Sequence, residues 1–168
     1  MASTQNTNHS TNVDEASLLF GSPSPTVNLI DLHPQPVHIF RLWQTFLDNV
    51  NPLTKIIHAP TMQQLVLEAA GDLEHVPQGL EALMFAIYTF AVTSLSTIEC
   101  ESMFGEAKST LLAKYRLGTQ QALVSAGFLR SSDLVILQAF VLFLVCNPFS
   151  RFTSLPRADR QALGSSIL

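Results

Sequence analysis

Three observations in the sequence predict an all-α fold built of several helices. Apolar residues recur every three or four positions through long stretches of the chain. Proline, glycine and Ser/Thr-x-x-Glu/Gln patterns stand at the ends of these stretches, where helices begin and end. No stretch alternates apolar and polar residues as a half-buried strand would. We therefore expect helices in series and no sheet.

Composition divides the chain into three parts. Residues 1–35 are rich in Ser, Thr, Asn and Pro and lack a sustained apolar period, so we predict a disordered leader. Residues 36–146 carry the helical pattern and form the predicted domain. Residues 147–168 follow the last predicted helix and have only one short amphipathic piece. The sequence therefore predicts a single helical domain between two segments of different character.

Two helices are expected in the first part of this domain. The first begins at Pro36 and ends at Asn51-Pro52, since the residue before proline avoids the α region. The second opens with a capping box formed by Thr61 and Gln64, and Gly71 ends it. The apolar residues that give the first helix its period are Val37, Phe40, Trp43, Phe46, Leu47 and Val50.

The central part of the domain predicts a long apolar helix over residues 78–95 and a short one after it. Ser96 and Glu99 form a capping box for the short helix, which ends near Gly105. A further helix starts at residue 106. Gly118 is expected to bend or break it, because glycine lowers helix propensity.

The last predicted helix covers residues 133–146, after Gly127 ends the preceding one. Ser131 or Ser132 is expected to cap it, and Asn147-Pro148 ends it. Both this helix and the one over residues 78–95 are shorter than the roughly 20 residues that cross a membrane, so we predict buried core helices.

The last helix is apolar at every position but Gln138 and the acidic residue at its start. A helix that is apolar on all sides must be covered on all sides. Only 22 residues follow Cys146, and they offer at best one short amphipathic piece near residues 157–163, so we expect either missing sequence or a partner.

The charge balance argues against direct DNA binding. The chain has nine Lys and Arg against 13 Asp and Glu, a formal net charge of −4, and its basic residues do not cluster. Proteins that hold nucleic acid through its phosphates need a basic face. The two cysteines, Cys100 and Cys146, form no CxxC pair, so we expect buried free thiols in a reducing compartment.

No catalytic constellation stands out. Asp72 to His75 is the one cluster that suggests a metal site, but Asp and His in a helix-to-helix loop ordinarily serve as caps and solvated surface. Lys55 fits a surface lysine better than a desolvated one. Trp43 and the phenylalanines at helical spacing fit a core stripe better than a ligand groove. An enzyme would have to use His58 or His75. We predict no catalytic, cofactor-binding, metal-binding or DNA-binding residues, no cofactor and no enzyme.

An ordered set of stretches between residues 36 and 145 carries a family resemblance. It begins with RLWQTFLDNVNPLTKIIHAPT at residues 41–61 and ends with YRLGTQQALVSAGFLRSSDLVILQAF at residues 115–140. Between them lie EAL and FAIY at residues 81–88, then EC and FGE at residues 99–106. Together these resemble the middle regulatory domain of fungal zinc-cluster transcription factors, also called the fungal-specific transcription factor domain.

The resemblance implies an all-helical region that regulates transcription in a fungal nucleus through protein contacts, with the transcription machinery or with itself. In that family a six-cysteine cluster binds two zinc ions and reads DNA, and two cysteines cannot form it. Neither zinc nor DNA binding is therefore carried over to any residue here.

The resemblance stops after Val145, where the family continues into further helices that the tail does not match. We therefore expect the N-terminal part of a truncated domain. Some members respond to a metabolite, but nothing in this sequence supports a small-molecule effector. The alternative is a self-contained helical module that binds a ligand or a protein, and neither interpretation places the chain in a membrane.

Overall fold

The computed structural model describes residues 27–146, and within them it contains eight α-helices, one 3₁₀ turn and no strand. The all-α prediction is confirmed. The helices are α1 (Leu29–Leu32), α2 (Pro36–Asn49), α3 (Asn51–Thr54), α4 (Ala59–Gly71), α5 (Gln78–Ser94), α6 (Thr97–Phe104), α7 (Lys108–Ser125) and α8 (Leu134–Cys146), with the 3₁₀ turn at Leu73–His75 between α4 and α5.

Helix α5 is the centre of the fold. Its residues are apolar around most of the helix, and it packs against α2, α7 and α8. A helix of this composition has to be enclosed by its neighbours, because any open side would expose apolar surface to water. Its largest fully buried side chains include Phe85, Met84, Ile87 and Tyr88. The prediction of a buried core helix over residues 78–95 is therefore confirmed.

The predicted break at Gly118 is wrong, because α7 runs without interruption through this residue. Gly118 is buried where α7 crosses α5, and a Cβ atom there would lie 2.6 Å from Cδ1 of Phe85. The glycine thus allows close contact between two helices. The sequence showed that Gly118 lowers helix propensity. It did not show that the Phe85 ring on α5 leaves no room for a side chain at this position.

The helix ends agree with the sequence in some places and differ in others. The capping box of Ser96 and Glu99 is present, with Glu99 N–H donating to Ser96 Oγ over 3.2 Å. The box predicted for Thr61 and Gln64 is wrong, because α4 already begins at Ala59 with Pro60 in its first turn. Proline suits that position, where the backbone N–H lacks an intrahelical partner in any case.

Helix α8 begins one residue later than predicted, and its cap is neither Ser131 nor Ser132. Asp133 takes this role, since its Oδ1 accepts the N–H of Val135 over 2.9 Å. Ser131 Oγ accepts the N–H of Asp133 itself over 3.1 Å, so it positions the capping residue. Gly105 and Gly127 stand after α6 and α7 with φ values of 72° and 62°, as expected for glycines that end helices.

The helical region begins before residue 36. Helix α1 lies in the segment predicted to be a disordered leader, and it packs on α7. His33, just after α1, is buried, with its ring centroid 4.4 Å from that of Phe85. Residues 1–26 of the predicted leader and the predicted tail, residues 147–168, lie outside the described residues.

Candidate interaction surface

Helix α8 has one buried side and one exposed apolar side. Ile136, Ala139, Leu142 and Phe143 are buried, and the helix packs against α5 and α7. The opposite side is formed by four exposed residues, Leu134, Leu137, Leu144 and Val145, and by the half-buried Val141; we call these five residues the α8 outer face. Within residues 27–146 one side of α8 is therefore buried and the other largely exposed, as expected of an apolar helix that the chain does not cover on all sides.

The exposed fractions on the α8 outer face are large for leucines and valines. They are 64% for Leu134, 56% for Leu137, 52% for Leu144 and 50% for Val145. The positions 134, 137, 141 and 144 are separated by three, four and three residues, which places them in one stripe along the helix. Scattered apolar residues on a surface are normal, whereas a continuous stripe marks an interaction surface.

Gln138 attaches α8 to the start of the domain. Its Nε2 donates to the carbonyl oxygen of Ile56 over 2.7 Å, across 82 positions in the sequence. The loop that holds Ile56 joins α3 to α4, and Lys55 adopts a left-handed conformation there with φ of 50°. The single polar side chain within α8 is thus engaged in the fold, and the outer face is left with apolar groups alone.

Asp72 and His75, which the sequence singled out as a possible metal site, contact each other at the surface. His75 Nδ1 lies 2.9 Å from Asp72 Oδ2, and both side chains are exposed. The hydrogen bond from His75 holds the pKa of Asp72 below its usual value. In residues 27–146 no three His, Cys, Asp or Glu side chains converge as metal ligands. Lys55 and His58 are also exposed.

Trp43 lies in the core, as the sequence predicted. It is 5% exposed, and its ring stacks on that of Phe46 with the centroids 6.1 Å apart. Cys100 and Cys146 are both buried free thiols, and burial raises the pKa of each. They therefore belong to the packed interior.

The structure also shows side-chain contacts that the sequence did not reveal. Lys108 donates its ammonium to the carbonyl oxygens of Thr93 and Leu95 at the end of α5. Arg41 Nη1 donates to the carbonyl oxygen of Met103 over 2.7 Å, at the end of α6. Two of the nine basic residues are thus used to complete helix C-termini, where the helix dipole favours positive charge.

A small cavity is lined by Val124, Gly127, Phe128 and Leu129, and its volume is about 10 Å³. That is space for roughly one water molecule, whereas pockets for small molecules have volumes of roughly 300 Å³ or more. This cavity is therefore too small for a metabolite.

Within the described residues, no helix is long and apolar enough to cross a membrane. The candidate contact surface is the α8 outer face, where four exposed apolar side chains lie on one helix.

Comparison with known proteins points to transcription regulators of fungi. The chain is 53% identical over 128 residues to the transcriptional regulator AacuB of Aspergillus aculeatus, which is 76% of this chain and 17% of that protein. It is 43% identical over 150 residues to the transcriptional regulator nsrM of Aspergillus novofumigatus, 89% of this chain and 20% of the relative. It is 33% identical over 129 residues to the C6 finger domain transcription factor adaR of Aspergillus niger, 74% of this chain and 17% of the relative.

The match covers most of this chain but only a small part of each relative. The chain spans about a fifth of the length of the curated relatives it matches. No family model and no solved structure matches it. The resemblance predicted from the sequence is nevertheless confirmed by these alignments: the chain is homologous to a segment of fungal C6 zinc-cluster transcription regulators.

Proposed function

We propose that this chain is a regulatory segment that acts on transcription in the fungal nucleus through protein contacts. The observation that carries the proposal is its homology, over three quarters or more of its length, to proteins that regulate transcription. Its relatives include a protein named for a finger domain. Six cysteines are needed for a zinc cluster of that class, and this sequence has two.

Charge supports contacts with protein rather than with DNA. The net charge is −4, and phosphate contacts require a surplus of Lys and Arg on one face. Lys108 and Arg41 are already bound to backbone carbonyl oxygens of their own chain. The α8 outer face, by contrast, offers the apolar stripe that protein partners use.

The proposal is tested by tethering the whole chain to an unrelated DNA-binding domain upstream of a reporter gene in a fungal host. We expect the tethered chain to change reporter output relative to the DNA-binding domain alone. The double variant Leu137→Glu/Leu144→Glu places two charges on the α8 outer face and should abolish the change. The control Val37→Glu places one such charge on α2, where Val37 is 59% exposed, and should leave the change in reporter output intact.

A second measurement tests the nucleic-acid part of the proposal. In a gel-shift assay at physiological salt, we expect the purified chain to give no sequence-specific complex, because base-specific contacts need a protein that already binds the phosphates. A tight, sequence-specific shift would contradict the proposal. The proposal would also be contradicted if the tethered chain left reporter output unchanged although its amount in the nucleus equalled that of the DNA-binding domain alone.

A further inference from the structure

We propose that residues 27–33 form a strap that opens from the helical domain as a unit and closes over the side chains of Phe85 and Tyr88, with His33 as its latch. The strap consists of α1 with the two residues before it and the one after it. It is separate from the α8 outer face and goes beyond the proposed function, because it concerns a conformational change within the chain itself.

The closed strap covers two aromatic rings of α5. The His33 ring is buried, and its centroid lies 4.4 Å from that of Phe85 and 5.9 Å from that of Tyr88. When the strap leaves, one side of these rings meets water, next to the crossing where Phe85 contacts Gly118 on α7. Exposing apolar surface to water is unfavourable, so the closed state is the populated one and the open state is a minor one.

The polar contacts that join the strap to α5 and α7 are long. His33 Nδ1 lies 3.4 Å from Tyr88 Oη, and His33 Nε2 lies 3.5 Å from Glu81 Oε1. Val27 N–H donates to Gln121 Oε1 over 3.4 Å. Ordinary N–H···O hydrogen bonds are about 2.9–3.0 Å long, and His33 Nε2 has no hydrogen-bond partner within residues 27–146. The latch is therefore held by contacts weaker than ordinary hydrogen bonds.

Helix α1 adds little stability of its own. It has four residues, and isolated helices shorter than about 12 residues are marginal in water. None of its residues is buried, although Leu29 and Leu32 are half-buried against the core. Segments with few buried contacts open at a lower free energy than the whole domain unfolds. We therefore expect the strap to open while the other helices remain folded.

The backbone between α1 and α2 allows this movement. His33 and Gln35 have ψ values of 140° and 150°, which are extended and not helical. Pro34 and Pro36 have no N–H to donate, so α2 does not continue into α1. Movement at His33 therefore breaks no backbone hydrogen bond of α2. The strap is also the covalent link between residues 1–26 and the helical domain, so a partner that binds those residues would act first on the latch.

The first experiment uses the histidines of the full chain as probes. Diethyl pyrocarbonate modifies accessible imidazoles, and mass spectrometry gives the rate at each histidine. We expect His33 to react about tenfold or more slowly than the exposed His58 and His75. Its rate should stay nearly constant in low urea, because opening the strap exposes little surface. Hydrogen exchange of the α5 amides follows global unfolding and should rise steeply with urea.

A leucine pair tests whether α1 covers His33. Leu32→Ala removes half-buried methyl groups from the strap and should raise the rate of His33 modification by about tenfold. The matched control is Leu53→Ala in α3, where Leu53 is 86% exposed. It should leave the rate at His33 unchanged.

A tyrosine pair tests the latch. Tyr88→Phe removes the hydroxyl group next to His33 Nδ1 and should raise the rate of His33 modification by about fivefold, without a steeper dependence on urea. Tyr115→Phe removes the same group from the other buried tyrosine, on α7, and should leave the rate at His33 unchanged. Circular dichroism checks that each variant keeps its helices.

Two results with the unmodified sequence overturn the strap. One is a His33 rate that rises with urea in parallel with exchange of the α5 amides, since the strap would then leave only on global unfolding. The other is a His33 rate equal to those of His58 and His75, since the strap would then not be closed. Equal rates in the two leucine variants also overturn it, and this pair decides even if Tyr88→Phe fails to fold. Equal rates in two folded tyrosine variants remove His33 as the latch.

Discussion

Phe85 on α5 and Gly118 on α7 touch so closely that no side chain fits between them. A Cβ atom on Gly118 would lie 2.6 Å from Cδ1 and 2.7 Å from Cε1 of the Phe85 ring. Thr119 follows Gly118 on α7, and its Oγ1 lies 3.2 Å from Oγ1 of Thr89, which is four residues after Phe85 on α5; both hydroxyls are buried. The crossing of α5 and α7 is therefore fixed by one glycine and one buried pair of hydroxyl groups.

Gly118→Ala should destabilise the protein although alanine favours helix. Its methyl group forces the Phe85 ring to move inside a close-packed core, which typically costs about 1–3 kcal/mol, more than the roughly 1 kcal/mol gained in helix propensity. Gly71→Ala is the matched control, since nothing lies within 4 Å of its added Cβ. It should be neutral or stabilising. Chemical denaturation measures both free energies of unfolding, and equal values for the two variants would contradict the close contact.

Gln138→Met should loosen the attachment of α8 to the loop between α3 and α4. Methionine keeps the length of the side chain but cannot donate to the Ile56 carbonyl oxygen, whose hydrogen bond of 2.7 Å is then lost. Leaving a half-buried carbonyl without its donor costs about 1 kcal/mol or more in the free energy of unfolding.

The control for this variant is Gln64→Met in α4. It removes an exposed hydrogen bond from Gln64 to Glu68, one turn further along α4. Exposed substitutions of that kind change stability by roughly 0.5 kcal/mol or less. If amide hydrogen exchange in α8 were unchanged by Gln138→Met, the bond to Ile56 would have no part in holding the helix.

The sequence predicted those features that depend on neighbours along the chain. The apolar run over residues 78–95 indicated a core helix, and the capping box of Ser96 and Glu99 indicated a helix start; both are present. Gly118 was misread because its role depends on Phe85, 33 positions away and on another helix. His33 was missed for the same reason, since its burial comes from Phe85 and Tyr88.

The interaction surface was predicted in outline only. The composition of residues 134–146 showed that the helix is too apolar to stand alone in water. Which side would be left open depends on where α5 and α7 lie, and no local pattern encodes that. Gln138 was the one available signal, because a single polar residue in an apolar helix marks a position that needs a hydrogen-bond partner.

Lys108→Met should destabilise the junction between α5 and α6. The ammonium group satisfies the carbonyl oxygens of Thr93 and Leu95, which lie at the end of α5 and have no helical partner. Hydrogen bonds to charged groups contribute about 1.5–3 kcal/mol, and the partial exposure of Lys108 places the expected loss near the lower value. The control is Lys114→Met, which removes the same charge from a lysine near the Tyr115 ring. A similar decrease in the free energy of unfolding for Lys114→Met would contradict the role assigned to the carbonyl oxygens of Thr93 and Leu95.

The two tyrosines of the chain make its stability sensitive to alkaline pH. Tyr88 and Tyr115 are the only tyrosines, and both are 1% exposed. Burial raises the pKa of each phenol above its usual value, and the negative charges of Glu81 near Tyr88 and Glu106 near Tyr115 add to the effect. The folded state therefore holds both phenolic protons to higher pH than the unfolded state does.

The sign of the effect follows from proton linkage. A raised folded-state pKa gives a contribution to stability that is complete below the unfolded pKa of about 10 and is lost as pH rises toward the folded value. We expect the free energy of unfolding to fall from about pH 10 upward, and tyrosinate absorbance to appear in one cooperative step together with the loss of helical circular dichroism. In denaturant the same phenols should titrate gradually around pH 10. Gradual titration of the native chain, with its helices intact, would show that the two rings are open to solvent and would contradict the packing of α5 against α7.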